Sequence, residues 1–179
     1  MTTQLPPAGV WAIEPDHSTV EAVAKHMVIT KVRGRFDTIS GKVEVADDPL
    51  ASRIEVTIDA ASINTNNADR DGHLRSPDFL DAEANPTVTF VSTAIRVAGD
   101  AYEADGVLTL AGKSNPVTLS VQYGGLAQDP WGNTRALLSA ATTINRADFG
   151  LTWNQTLESG GLLVSKDVKI EIEVQLVQS

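Results

Sequence analysis

The feature that most constrains this chain is a period of two running unbroken through Val168-Lys169-Ile170-Glu171-Ile172-Glu173-Val174-Gln175-Leu176. Successive side chains of an extended strand point to opposite faces, so the aliphatic groups share one side and the polar ones the other. A helix would scatter both sets around its circumference. Arg53-Ile54-Glu55-Val56-Thr57-Ile58-Asp59 repeats the pattern. Strands wet on one face and buried on the other are the habit of antiparallel sheets.

The same reading places further strands at about 18–27, 40–45, 87–97, 102–110, 117–123 and 134–144. Turn chemistry separates them, as at Asp47-Asp48-Pro49, Ala98-Gly99-Asp100, Lys113-Ser114-Asn115-Pro116 and Asp129-Pro130-Trp131-Gly132. Only two places read as helical. Residues 27–31 suit a short turn, and 67–79 a longer excursion that Pro77 interrupts or ends, with Asp69 as its capping residue. With 179 residues and no internal repeat or linker, the chain reads as an N-terminal extension over 1–10 and one all-β domain over 11–179.

About eight such strands suit a closed up-and-down barrel or a two-sheet sandwich, and periodicity does not choose between them. The filling points to the barrel. Aromatics are only 5% of the chain, and the inner faces are built mostly from Ala, Val, Ile and Leu. An eight-stranded barrel has a fixed girth, so small inner side chains leave a tubular apolar cavity.

Composition removes several function classes. A net charge of −9 repels nucleic-acid phosphates and disfavours docking on an anionic membrane surface. The absence of cysteine excludes disulfides, thiol catalysis and thiolate metal sites. No apolar stretch approaches the length of a membrane span, so no stable membrane insertion is expected. Residues 1–11 lack the basic and apolar regions of a signal peptide, so the chain as written reads as cytoplasmic.

The residues able to carry chemistry do not form a catalytic pattern. His17, His26 and His73 match no metal-binding spacing, and no metal or cofactor is expected. No Gly-x-Ser-x-Gly elbow is present for a serine hydrolase. Arg70, Asp71, His73 and Arg75 form the densest polar cluster, where Arg70 and Asp71 can brace the helical excursion against the barrel. Arg70, Arg75 and Arg146 can also meet a phosphate, because a guanidinium fork matches its oxygens. With His17 they are the candidate contacts for a ligand's polar end.

Asn145-Arg146-Ala147-Asp148-Phe149-Gly150-Leu151-Thr152-Trp153 sets charge, amide and aromatic groups side by side where the strand over 134–144 runs out. Together with Asp16-His17-Ser18, Val32-Arg33-Gly34-Arg35-Phe36, Arg70-Asp71-Gly72-His73-Leu74 and Leu108-Thr109-Leu110-Ala111-Gly112-Lys113, it resembles the YceI-like family of polyisoprenoid-binding proteins. The matching segments run in order from about Trp11 to Val177. The resemblance implies an elongated antiparallel barrel of lipocalin type, no catalysis, a homodimer, and a ligand that is a polyprenyl lipid or isoprenoid quinone.

On this reading the ligand meets Val20, Ala22, Ala24 and His26 on the first long strand, Phe36 after it, and Ile54, Val56 and Ile58 on the next alternating run. It also meets Phe90, Leu108, Leu110, Leu119 and Val121. Leu138, Ala140 and Ile144 complete the wall, with Phe149 and Trp153 at one mouth. The family pattern has aromatics where this chain has Ala22, Ile39, Leu80 and Leu138, which implies a wider or differently shaped lumen. Two other readings stay open: a barrel packed shut that works through its surface, and a lipid-modifying enzyme.

Overall fold

Period-two alternation closes into a tube. The computed structural model describes residues 5–179, so residues 1–4 of the expected N-terminal extension lie outside the described residues. The elements are β1 (Gly9–His26), β2 (Thr30–Phe36), β3 (Ile39–Val45), β4 (Arg53–Asp59), β5 (Ile63–Asn64), α1 (Ala68–Arg75), β6 (Thr87–Ala98), β7 (Ala101–Leu110), β8 (Lys113–Gln128), β9 (Thr134–Asn145) and β10 (Asp167–Gln178). β1 begins inside the stretch read as an extension, since Gly9 and Val10 already pair with Val45 and Glu44.

Neighbouring strands run antiparallel in the order β10-β9-β8-β7-β6-β4-β3-β1, and β1 returns to pair with β10. Eight strands therefore close a barrel, and the sandwich is excluded. β1 is long enough to serve two neighbours. Its start, Gly9 to Ala12, pairs with β3, while its far end, Glu21 to His26, pairs with β2. β5 extends β2 through Phe36 opposite Ile63. α1 and the turn after it then bring Leu74, Phe79 and Leu80 into the core shared by Phe36, Ile63 and Val88.

Two local expectations are corrected. Residues 27–31 are not helical: Met27, Val28 and Ile29 form the tight turn of a β1–β2 hairpin, with His26 opposite Thr30. Met27 and Val28 hold left-handed φ angles of 50° and 72°, a conformation costing roughly 1–2 kcal/mol per L-residue. β2 itself was not anticipated. The cap of α1 is Asn67, not Asp69: the Asn67 side chain accepts from the Arg70 amide at 2.9 Å, and Asp69 sits in the first turn. The helix ends at Arg75, shortly before Pro77, as expected of a residue that restricts its predecessor.

One end of the barrel is sealed. Trp11, Ala136 and Leu176 are almost fully buried there, packed with Ile13, Val43 and Tyr123, and Trp11 Nε1 donates to the Pro7 carbonyl at 2.9 Å. Among the described residues no helix is long and apolar enough to cross a membrane.

Candidate functional site

Above that seal the barrel is hollow. A cavity of about 560 Å³ runs along its interior, within the range of roughly 300–1,000 Å³ typical of pockets that enclose small ligands. Its walls are aliphatic: Val20, Ala22 and Ala24 from β1, Val56 and Ile58 from β4, Leu108 and Leu110 from β7, and Val168, Ile170 and Ile172 from β10. The barrel is therefore not packed shut, which removes the reading of a filled interior.

The floor comes from one close approach. A Cβ on Gly106 would collide with the Phe90 ring, so only glycine on β7 lets that ring lie against the wall. Phe90 packs there with Ala104, Leu119 and Val121, and with the half-buried Ile54, Leu138 and Ala140. Phe90 and Leu119 face the cavity. Ile54, Val121, Leu138 and Ala140 point inward as expected but belong to the packing beneath it, so they do not line it.

The mouth is built around Arg146. β9 ends at Asn145, whose side chain caps the short 3₁₀ turn 146–149 by accepting from the Ala147 amide at 3.0 Å. Arg146 then turns inward and is only 4% exposed. Its Nε donates to the Ser165 carbonyl at 2.8 Å, and Nη1 donates to those of Leu151 and Trp153 at 2.7 and 2.8 Å. Burial pushes its pKa down from the ordinary value. These bonds hold the strap over residues 150–166 across the barrel end, where Leu151, Trp153, Leu163 and Val164 face the cavity.

Across from the strap, α1 is braced by a buried polar knot. Asp71 Oδ1 accepts from the Thr65 amide at 2.8 Å and its hydroxyl at 2.6 Å, while Arg70 Nε donates to the Thr65 hydroxyl at 2.8 Å. His73, Phe79 and Trp153 meet edge to face or tilted, with centroids 4.7 to 5.4 Å apart, and join helix to strap. Arg70, His73, His26 and Arg146 all line the cavity at this end. The charged groups of the lining gather at the mouth.

Of the other sequence-based candidates, Val20, Ala22, Ala24, Phe36, Val56, Ile58, Leu108, Leu110, Ile144 and Trp153 line the cavity. Phe149 does not; it is buried in the core beside it. His26 is exposed at the rim. His17 lies outside the wall beside Gln122 and Glu173, paired with Glu14 at 2.9 Å, so it cannot meet a ligand inside. Arg75 is exposed and donates to the Ala61 carbonyl at 2.9 Å, away from the cavity. Sequence reading missed Ile13, Val32, Ile39, Ile63, Val88 and Val117 and the β10 wall of Val168, Ile170, Ile172 and Val174, together with the linings contributed by α1 and the strap. Alternation could have found the first group; the second has no period to find.

The aliphatic walls can enclose an apolar chain. Among the described residues no cluster of His, Cys, Asp or Glu could hold a metal ion. Among the described residues the side chains of the histidine–carboxylate pairs, Glu14–His17 and His73–Asp78, bond no serine hydroxyl; Ser76 Oγ meets only the His73 carbonyl and the Asp78 amide.

A closed antiparallel barrel around an apolar, one-ended cavity defines the lipocalin-like class of architecture. Within it, the chain belongs to the YceI family: the model of the YceI-like domain matches residues 11–176. A UPF0312 protein of Pseudomonas aeruginosa (strain LESB58) is 40% identical over 139 residues, covering 77% of this chain and 73% of that one. A UPF0312 protein of Pectobacterium atrosepticum is 38% identical over 166 residues, covering 92% and 83%. The crystal structure of Burkholderia cenocepacia BcnA superposes with a TM-score of 0.77 at 27% identity, over 91% of this chain and 98% of that one. A polyisoprenoid binding domain from Saccharophagus degradans, implicated in plant cell wall breakdown, shares the fold at a TM-score of 0.71 and 17% identity, over 97% and 100%.

Proposed function

We propose that this protein carries or scavenges a long isoprenoid-type lipid, a polyprenyl chain or isoprenoid quinone, held inside the barrel. One observation carries the reading: a largely aliphatic cavity of about 560 Å³ closed at one end, with its charged groups at the mouth. The S. degradans domain of the same fold is described as polyisoprenoid binding, which agrees with it.

Binding is by burial. Each CH₂ contributes about 0.8 kcal/mol, so a five-carbon isoprene unit contributes roughly 3–4 kcal/mol gross. Association costs about 4–15 kcal/mol, so several units are needed before net affinity appears. Arg70, Arg146 and, at the rim, Lys25 are the cations that line the cavity and can meet a polar head. No residue is assigned catalysis.

The test is solvent extraction of the purified protein followed by mass spectrometry. A prenyl lipid, recovered unaltered and in stoichiometric amount, is the expected result. Steady conversion of an added prenyl lipid to a product would overturn the carrier reading in favour of an enzyme.

A further inference from the structure

The hairpin turn beside the mouth is apolar and exposed. Met27, Val28 and Ile29 are 52%, 61% and 83% exposed, and Leu162 on the strap is 36% exposed. They are one patch: the Met27 amide donates to the Leu163 carbonyl at 2.8 Å, and Gly161 lies against Val28. Folding does not explain these residues. Met27 and Val28 hold left-handed φ angles, where glycine or asparagine is the ordinary choice and a β-branched residue is an outlier. Side chains that gain little burial and oppose their own backbone point to a role at the surface.

Charge says what the surface meets. From Val23 to Arg33 the chain has Lys25, Lys31 and Arg33 and no carboxylate, although it carries 23 Asp and Glu in all. Arg33 is paired with Glu171 and Glu21. Lys25 and Lys31 sit directly opposite each other and have no ion-pair partner among the described residues, an arrangement that disfavours the hairpin. Lys166 is exposed at the end of the strap, followed by Asp167, and Glu158 is the strap's one carboxylate.

We propose that this tip docks on an anionic lipid bilayer, with Met27, Val28, Ile29 and Leu162 in the headgroup region and Lys25 and Lys31 at the level of the lipid phosphates. Asp69 on α1 also lines the mouth, so the contact is confined to the hairpin and strap side of the rim. Docking in this pose turns the cavity mouth toward the membrane. The net charge of −9 as an average disfavours such docking; its uneven distribution reverses that at this one place. The proposal rests on the carrier reading for its purpose, while its physics concerns the hairpin alone.

The experiment is co-sedimentation of the full chain with vesicles of phosphatidylcholine, and with vesicles of phosphatidylcholine mixed with phosphatidylglycerol. Wild-type protein is expected to partition onto the anionic vesicles and to be released by salt. Ile29→Asp should weaken this by about tenfold or more. Val28→Gly, which relieves the left-handed strain and so should fold at least as well, should also weaken it. Lys25→Glu with Lys31→Glu should remove the preference for anionic lipid. Ala22→Phe, which obstructs the cavity, should dock as wild type does while failing to take up prenyl lipid, so the two readings fail separately. The proposal is overturned if wild-type protein ignores anionic vesicles, or if Val28→Gly and Ile29→Asp bind them undiminished. It is overturned too if Trp131→Ala, at the opposite end, is the variant that loses binding. Tip-dependent dimerisation without vesicle binding would mean that a second copy of the chain covers the patch.

Discussion

Arg146 Nη1 donates to the Trp153 carbonyl at 2.8 Å, and so the first residue after β9 also places the indole at the cavity mouth. The same nitrogen holds Leu151, and the guanidinium lies 6.0 Å from the Phe79 ring, which itself touches Trp153. Its charge faces carbonyls, not a carboxylate. Arg146 is thus first a fastener of the strap.

Arg146→Ala should therefore act mainly on stability. It strands several carbonyls at a buried site, at a cost of about 3 kcal/mol in unfolding free energy. Chemical denaturation measures this, with Arg146→Lys recovering only part because an ammonium cannot span the same carbonyls. A variant as stable as wild type but unable to hold lipid would instead make Arg146 a head-group contact alone.

Gly106→Ala tests the floor. With Phe90 where the new methyl would stand, the ring or the strand must shift, and overpacking of this kind costs about 1–3 kcal/mol. A lowered denaturation midpoint with an altered near-ultraviolet circular dichroism spectrum is expected.

How much of this was legible in the sequence follows from what alternation encodes. Parity along β4, β9 and β10 assigned the inner face correctly, yet parity carries no height along the barrel axis. Val56 and Ile54 share a face, but only Val56 reaches the cavity while Ile54 packs below it. β2 escaped because its inner positions are Val32, Gly34 and Phe36, and Gly34 leaves a gap in the apolar pattern; a Cβ there would meet Ile63 at 2.8 Å. The apolar turn Met27–Ile29 then disguised the hairpin. Trp153, Phe79 and His73 converge through tertiary bonds made by Arg146 and Asp71, which no local period announces.

Ala22→Phe should fill the cavity without breaking the fold. Ala22 lies on the inner wall opposite Ile170 and Gly34, and its side chain borders open space, so added bulk displaces ligand and not core. Affinity for long prenyl chains should drop by tenfold or more, equivalent to about 1.4 kcal/mol, with unfolding free energy unchanged or raised. Titration with a fluorescent prenyl probe and denaturation in parallel check both halves.

Acid should loosen the β8–β9 turn through Asp129. Its carboxylate accepts from the Asn133 side chain and amide, the Trp131 amide and Arg135 Nε. Hydrogen bonds from Asn133 above all hold its pKa at about 2, below the ordinary 3.8. A carboxylate depressed on folding adds stability that is complete above the unfolded value and is lost as pH falls from about 3.8 through about 2. Thermal unfolding across that window should show the loss in wild type, and Asp129→Asn should flatten this part of the profile.

Chain length is the sharpest test of enclosure. The six residue-to-residue steps from Val168 to Val174, at about 3.3 Å each, give a depth of roughly 20 Å measured along the strand. Spread over that depth, a cavity of about 560 Å³ has a mean bore of roughly 6 Å, room for one hydrocarbon chain at carbon contacts of about 3.5–4.0 Å. An isoprene unit adds four backbone bonds of about 1.5 Å, hence roughly 5 Å of extended length, and about four units reach the floor. Affinity should rise steeply with each unit up to about four, since each contributes roughly 3–4 kcal/mol gross against a fixed association cost. Beyond that the chain extends past the mouth and the gain should level off. Calorimetry with prenyl alcohols of increasing length measures the curve. Equal affinity for one unit and for four would place the binding energy at the polar mouth and not in the barrel.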